Sequence, residues 1–195
     1  MTKPGADRSN AIRQGQAVGD WSAVTLTVLA DHILETHHVF MKKELPRLDA
    51  LLGKVQKAHG ARHGDMLQNV RRAFDSLRLE FDPHLAKEEQ TLFPAIKRID
   101  AFMSAKGPRP VVHLGSLAQT IRQMEHEHED FGHRLGELRR LTGGYCPPAD
   151  ACPSLAALYD GLKAMEVDLH EHIHLENNIL FPGSLKQEAS IAGLP

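Results

Sequence analysis

An eleven-residue pattern occurs twice in this 195-residue chain. His84-Leu-Ala-Lys-Glu88-Glu-Gln-Thr-Leu92-Phe93-Pro94 and His172-Ile-His-Leu-Glu176-Asn-Asn-Ile-Leu180-Phe181-Pro182 both read HxxxExxxLFP. On a helix, residues four apart stack on one face, so each copy aims an imidazole and a carboxylate at one point. These are ligands that suit iron and other first-row divalent ions, and two such pairs facing each other can hold a metal pair.

Elements able to position those groups are read from four apolar seams with alternating three- and four-residue steps. The first runs Val24, Val28, Asp31, Leu34, His38, Met41, Leu45, Leu48 and Leu52, with Pro46 expected to bend or break its far end and Gly53 to Gly64 reading as a turn. The second runs Leu67, Val70, Phe74, Leu77, Phe81, His84, Glu88 and Leu92 toward Ile96 and Ile99, with a kink expected at Pro83. Leu114, Leu117, Ile121, Met124, His128, Phe131, Leu135 and Leu138 make the third. Leu155, Leu158, Leu162, Met165, Leu169, His172, Glu176 and Ile179 make the fourth, closing at Pro182. Strand signals are absent, and the loops between seams are short. The expectation is an all-α, up-down-up-down four-helix bundle over residues 21–185, with residues 1–20 a disordered lead-in and 186–195 a polar C-terminal tail.

Apart from Asp31, the seams are apolar except at His38, at His84 with Glu88, at His128, and at His172 with Glu176. Burying a charge without a partner is costly, so six ionisable groups facing one core need a reason. Four imidazoles and two carboxylates make a set that suits iron, with the two glutamates able to bridge two ions. The chain also reads as two halves: His84 and His172 are 88 residues apart, His38 and His128 are 90 apart. A rival set uses Glu35 with His38 and Glu125 with His128, the ExxH spacing of ferritin-like bundles. Those glutamates flank the seam, and choosing them strands His84 and His172 unligated in the core.

The remaining histidines take blander readings, although the chain holds 13 in all. His126, His170 and His174 point away from the ligand face. His32, His37, His59, His63, His113 and His133 read as surface residues or as residues packed beside a ligand. Asp31 is either an acceptor for a ligand ring or an acid near solvent at the bundle end. Glu80 and Glu127 read as solvated helix-face acids, with a supporting role beside the ligand rings as the alternative. Phe93 and Phe181 read as packing at the bundle end, and Cys146 and Cys152 as two free thiols of one Pro-rich loop.

With 23 basic against 25 acidic residues and no block of like charge, nothing suggests a nucleic-acid or anionic-membrane surface. No apolar run approaches the length of a membrane span, and the start lacks the apolar core of a secretory signal, so a cytoplasmic location is expected.

The pattern of a single His, HxxxE, a single His and HxxxE on successive helices resembles hemerythrin-like proteins. The wording DHILETHH at 31–38, HLAKEEQTLFP at 84–94, MEHEHED at 124–130 and HIHLENNILFP at 172–182 is similar to the RIC (repair of iron centres) branch. The resemblance implies two iron ions, oxo- or hydroxo-bridged, held by His38, His84, Glu88, His128, His172 and Glu176. It also implies repair of iron-sulfur clusters after nitrosative or oxidative stress, with NO or O2 as small ligands and iron-sulfur proteins as partners. Alternatives at the same centre are a carrier or sensor of O2 or NO, and a reductase of NO or peroxide, so whether the protein is an enzyme stays open. RIC proteins commonly begin with a small cysteine-bearing domain, and the first 20 residues here hold no cysteine.

Overall fold

The computed structural model describes residues 21–105, 107–110 and 116–192, and the expected lead-in over 1–20 lies outside them. All regular structure among the described residues is helical. After a 3₁₀ turn at Trp21–Ala23 come α1 (Leu26–Ile33), α2 (Val39–Lys87), α3 (Phe93–Met103), α4 (Ser116–Leu141), α5 (Pro153–Leu175) and α6 (Phe181–Ala192). Three joins are single π-helical turns: Leu34–His38 between α1 and α2, Glu88–Leu92 between α2 and α3, and Glu176–Leu180 between α5 and α6. No helix among the described residues is long and apolar enough to cross a membrane.

Two of these turns follow from the LFP of the repeated motif. A proline lacks an amide hydrogen and its ring crowds the carbonyl four residues back. Widening the turn before Pro94 and Pro182 relieves that crowding, and the amides of Phe93 and Phe181 bond five residues back to Glu88 and Glu176. Helices therefore run on through both prolines. The tail expected from residue 186 is helical through Ala192, because Ile191 is buried in the core.

α2 also departs from expectation. Helical angles run through Pro46, Pro83, Gly53 and Gly60, and the chain kinks at His63, with φ −124° and ψ 20°. Both prolines are exposed, so the carbonyls they leave without an amide partner face water. Upstream of His38 the seam is out of phase. Leu29, Ala30 and Ile33 are buried whereas Val28 is 36% exposed, and Asp31 pairs with Lys97 at the surface. The extra residue of the π turn at Leu34–His38 shifts the helical register by about 100°. A strict 3.6 period counted backward from His38 therefore lands on the wrong face.

α2 packs along α4 and α5, α1 packs on α3, and α3 on α6. Their apolar faces form two clusters. One gathers Met41, Leu45, Phe74, Phe81, Phe131, Leu162 and Leu169 among others. The second gathers Ile33, Leu92, Phe93, Ile96, Met124, Leu180 and Phe181 among others. Asp100 of α3, 4% exposed, fastens the second cluster. It accepts from Thr27 N at 3.0 Å, Thr27 Oγ1 at 2.6 Å and Gln187 Nε2 at 3.0 Å, joining α1, α3 and α6. Burial alone would raise the Asp100 carboxyl, but the donors from Thr27 and Gln187 hold it below the ordinary range.

Hydrogen bonds to a charged group are each worth about 1.5–3 kcal/mol. Asp100→Ala is expected to lower unfolding free energy by at least one such bond, about 1.5–3 kcal/mol. The check is a urea melt with an unchanged slope; an unshifted midpoint would show the clamp to be idle.

Candidate metal centre

The six residues selected from the seams lie at one level, between the two apolar clusters. In sequence His38 lies between Ile33 and Met41, His128 between Met124 and Phe131, and the His84/Glu88 and His172/Glu176 pairs between Phe81 and Leu92 and between Leu169 and Leu180. His84, Glu88, His172 and Glu176 are 0% exposed, His38 1% and His128 3%.

All four rings turn Nε2 inward and place a glutamate oxygen within reach. Glu88 Oε2 is 3.4 Å from His38 Nε2 and Glu88 Oε1 is 3.2 Å from His84 Nε2. Glu176 Oε1 is 3.0 Å from His172 Nε2 and Glu176 Oε2 is 3.2 Å from His128 Nε2. Two groups of potential ligands result, His38, Glu88, His172 and Glu176, and His84, Glu88, His128 and Glu176, the atoms of each lying within 4.8 Å of one another. Each glutamate belongs to both groups and presents one oxygen to each.

The outward nitrogens are held by the neighbouring helix. His38 Nδ1 meets Glu89 Oε1 at 2.8 Å, His84 Nδ1 meets Glu127 Oε2 at 2.8 Å, and His128 Nδ1 meets Asn177 Oδ1 at 2.8 Å. These acceptors place the proton on Nδ1, leaving Nε2 as the metal-binding lone pair. Lys42 and Lys87 in turn pair with Glu89 and Glu127. Phe93 lies 5.6 Å from the His38 ring and Phe181 stacks on His128 at 6.0 Å, so both phenylalanines wall the centre besides packing the bundle.

Whether the residues fit a cation is decided by their unmet bonds. Glu88 is fully buried, yet neither oxygen receives a hydrogen bond, and His38 Nε2 and Glu176 Oε2 also lack partners. A self-satisfied polar core would pair these atoms. Convergent carboxylates and imidazoles, with Glu88, His38 Nε2 and Glu176 Oε2 unpartnered, fit a pair of divalent ions.

The rival carboxylates stand outside this layer: Glu35 is exposed, Glu125 is half-buried, and neither belongs to a ligand group among the described residues. Glu80 pairs with Arg134 on α4. His113 lies outside the described residues. His37, read from sequence as a surface residue or one packed beside a ligand, is 2% exposed. Glu89 and Asn177 were overlooked, yet each, like His37, is next in sequence to a ligand. A residue one step from a ligand points toward the adjacent helix, where another ligand needs support.

A hemerythrin HHE cation binding domain matches residues 29–183. The chain belongs to that family. Among curated relatives, a Haemophilus influenzae protein named probable iron-sulfur cluster repair protein is 38% identical over 87% of this chain and 70% of its own. Proteins named iron-sulfur cluster repair protein YtfE from Enterobacter sp. and Edwardsiella ictaluri are each 37% identical, over 87% and 85% of this chain and 70% and 69% of theirs. The family match spans both HxxxE pairs and both single histidines.

In the metal-free protein, burial lowers the His84 pKa, but the nearby charge of Glu88 and the hydrogen bond to Glu127 outweigh it and push it from 6.5 to about 9. His38 moves upward in the same way, burial opposed and outweighed by Glu88 and Glu89. A raised histidine contributes stability fully present below 6.5 and lost as pH rises through about 9. The metal-free urea midpoint should therefore fall between pH 6.5 and 9, and loading with ferrous iron at neutral pH should release protons to a weakly buffered indicator. A midpoint that rises over that window contradicts the assignment.

Proposed function

We propose that the protein is a non-haem di-iron protein of the hemerythrin-like up-down-up-down four-helix type, acting in repair of iron-sulfur clusters damaged by nitrosative or oxidative stress. In this reading α1 with the first part of α2, the remainder of α2 with α3, α4, and α5 with α6 are the four bundle helices. His38 and His172 would hold one ion and His84 and His128 the other, with Glu88 and Glu176 able to serve both. The observation that carries the reading is the pair of shared, fully buried glutamates, each offering one oxygen to each ligand group.

A bound pair of iron ions supplies redox-active Lewis-acidic centres able to take a diatomic ligand, and iron itself can be the cargo handed to a damaged cluster. The chain's contribution is positional. Phe81, Phe93, Phe131 and Phe181 line the rings and exclude bulk water. Glu89, Glu127 and Asn177 fix ring orientation, and Glu88 and Glu176 set the spacing of the two positions. With two imidazoles and two shared carboxylates offered to each ion, a bound pair would keep room for a small ligand such as NO or O2, or for transfer of iron. The relatives' name supports the repair role, with iron-sulfur proteins as clients in the cytoplasm.

Anaerobic reconstitution with ferrous iron is expected to give two irons per chain. His38→Ala or His128→Ala should weaken one position by about 10- to 100-fold, whereas Glu88→Ala, which removes a ligand from both, should lose both irons. The loaded protein should restore activity to a nitric-oxide-damaged iron-sulfur enzyme, and the metal-free protein should not. A folded chain that takes up no iron sinks the reading; uptake of two irons without any restoration sinks the repair role alone.

A further inference from the structure

The two halves of the centre differ in how one ligand ring is held. His38 and His128 correspond, and so do Glu89 and Asn177, each one residue after a bridging glutamate and each accepting from a ring nitrogen. Glu127, one residue before His128, accepts from His84 Nδ1. The corresponding residue one before His38 is His37, and it faces His172. No hydrogen bond joins them: His172 Nδ1 is buried without a partner, the one outward nitrogen of the four with none. Instead the two rings lie parallel, 6° between planes and 5.6 Å between centroids. His37 is held in that plane by Asp168, whose Oδ1 meets His37 Nδ1 at 3.0 Å, and His32 meets its edge at 5.9 Å. Asp168 is one helical turn before His172 on α5, so its carboxylate ties the α1–α2 join to the same helix that carries the ligand.

We propose that His37, anchored by Asp168, is the positioning residue for His172, holding the ligand ring by stacking where the other three ligand rings are held by hydrogen bonds. A ring held by a parallel face keeps its plane while its outward nitrogen gains no acceptor, so His37 governs orientation without adding basicity. Its influence falls on the metal position shared by His38 and His172 and spares the one shared by His84 and His128. The inference rests on the di-iron reading above.

Wild-type, His37→Ala, His37→Phe and Asp168→Ala proteins would be loaded anaerobically with ⁵⁷Fe(II) and challenged with ferrozine. His37→Ala is expected to release one iron per chain about tenfold faster and the other at the wild-type rate, with one of two Mössbauer doublets altered. His37→Phe keeps the aromatic face but loses the bond to Asp168, so it should release that iron more slowly than His37→Ala without reaching the wild-type rate. Asp168→Ala, at a partly exposed position that leaves the core intact, should accelerate the same single iron. Wild-type release from His37→Ala and Asp168→Ala, equal acceleration of both irons, or release from His37→Phe as fast as from His37→Ala would each overturn the proposal. Absence of iron from the wild-type protein would instead overturn the di-iron reading on which it stands.

Discussion

Two carboxylates buried at 0% exposure, Glu88 and Glu176, are the constraint that the rest of the molecule answers. An ionised carboxylate in an apolar interior is unfavourable by several kcal/mol unless positive charge or donors surround it. Here four imidazoles converge on the pair, and burial, which alone would raise the Glu176 carboxyl, is outweighed by His172 and His128, which hold it well below the ordinary range. The apolar clusters above and below keep water from the layer, so the imidazoles and whatever cation they admit must do the neutralising. That is why a polar layer can interrupt the core without dissolving it.

The pattern of support has a simple geometry. Ligands occupy the inward face of their helices, and the residue beside a ligand points sideways to the next helix. Glu89 supports His38, Asn177 supports His128, and Glu127 supports His84. Each of these three rings is thus fixed by a residue from another bundle helix, which makes the site a property of helix packing. Stability of the packing and accuracy of the ligand set are the same thing in such a design.

Much of this was legible beforehand. His38, His84, Glu88, His128, His172 and Glu176 stood out because they broke apolar seams at matching places, and the structure brings all six to one layer. The helical backbone was legible from periodicity. What could not be read was the π turn, because one added residue leaves no mark in composition; it displaced the seam upstream of His38, so Val28 and Asp31 were assigned to a core that Leu29, Ala30 and Ile33 fill. Proline and glycine misled in the same sense. Pro46 and Gly53 to Gly64 were read as breaks, yet tertiary packing of Leu48, Leu52 and Val55 carries the helix through as far as His63. Supporting residues such as Asn177 and His37 carry no motif of their own, and only the crossing of helices reveals what they touch.

The distribution of charge around the layer explains why two cations can be accommodated evenly. Each ligand group contains one imidazole backed by a carboxylate, His38 by Glu89 in one and His84 by Glu127 in the other. Each group also contains one imidazole without such backing, His172 and His128. Glu89 and Glu127 are themselves paired with Lys42 and Lys87, so the outer carboxylates add basicity to the rings without adding net negative charge to the layer. The charge left to be balanced is that of Glu88 and Glu176, shared equally by the two groups. In the metal-free protein protons on His38 and His84, the two rings with raised pKa values, supply that balance, one in each group. Metal binding requires the Nε2 lone pairs of those same rings, so a cation entering either group displaces the proton that stood in for it. The metal-free layer is thereby neutral, two protons against two carboxylates, whereas two divalent ions against the same carboxylates would leave net positive charge for added anionic ligands to balance.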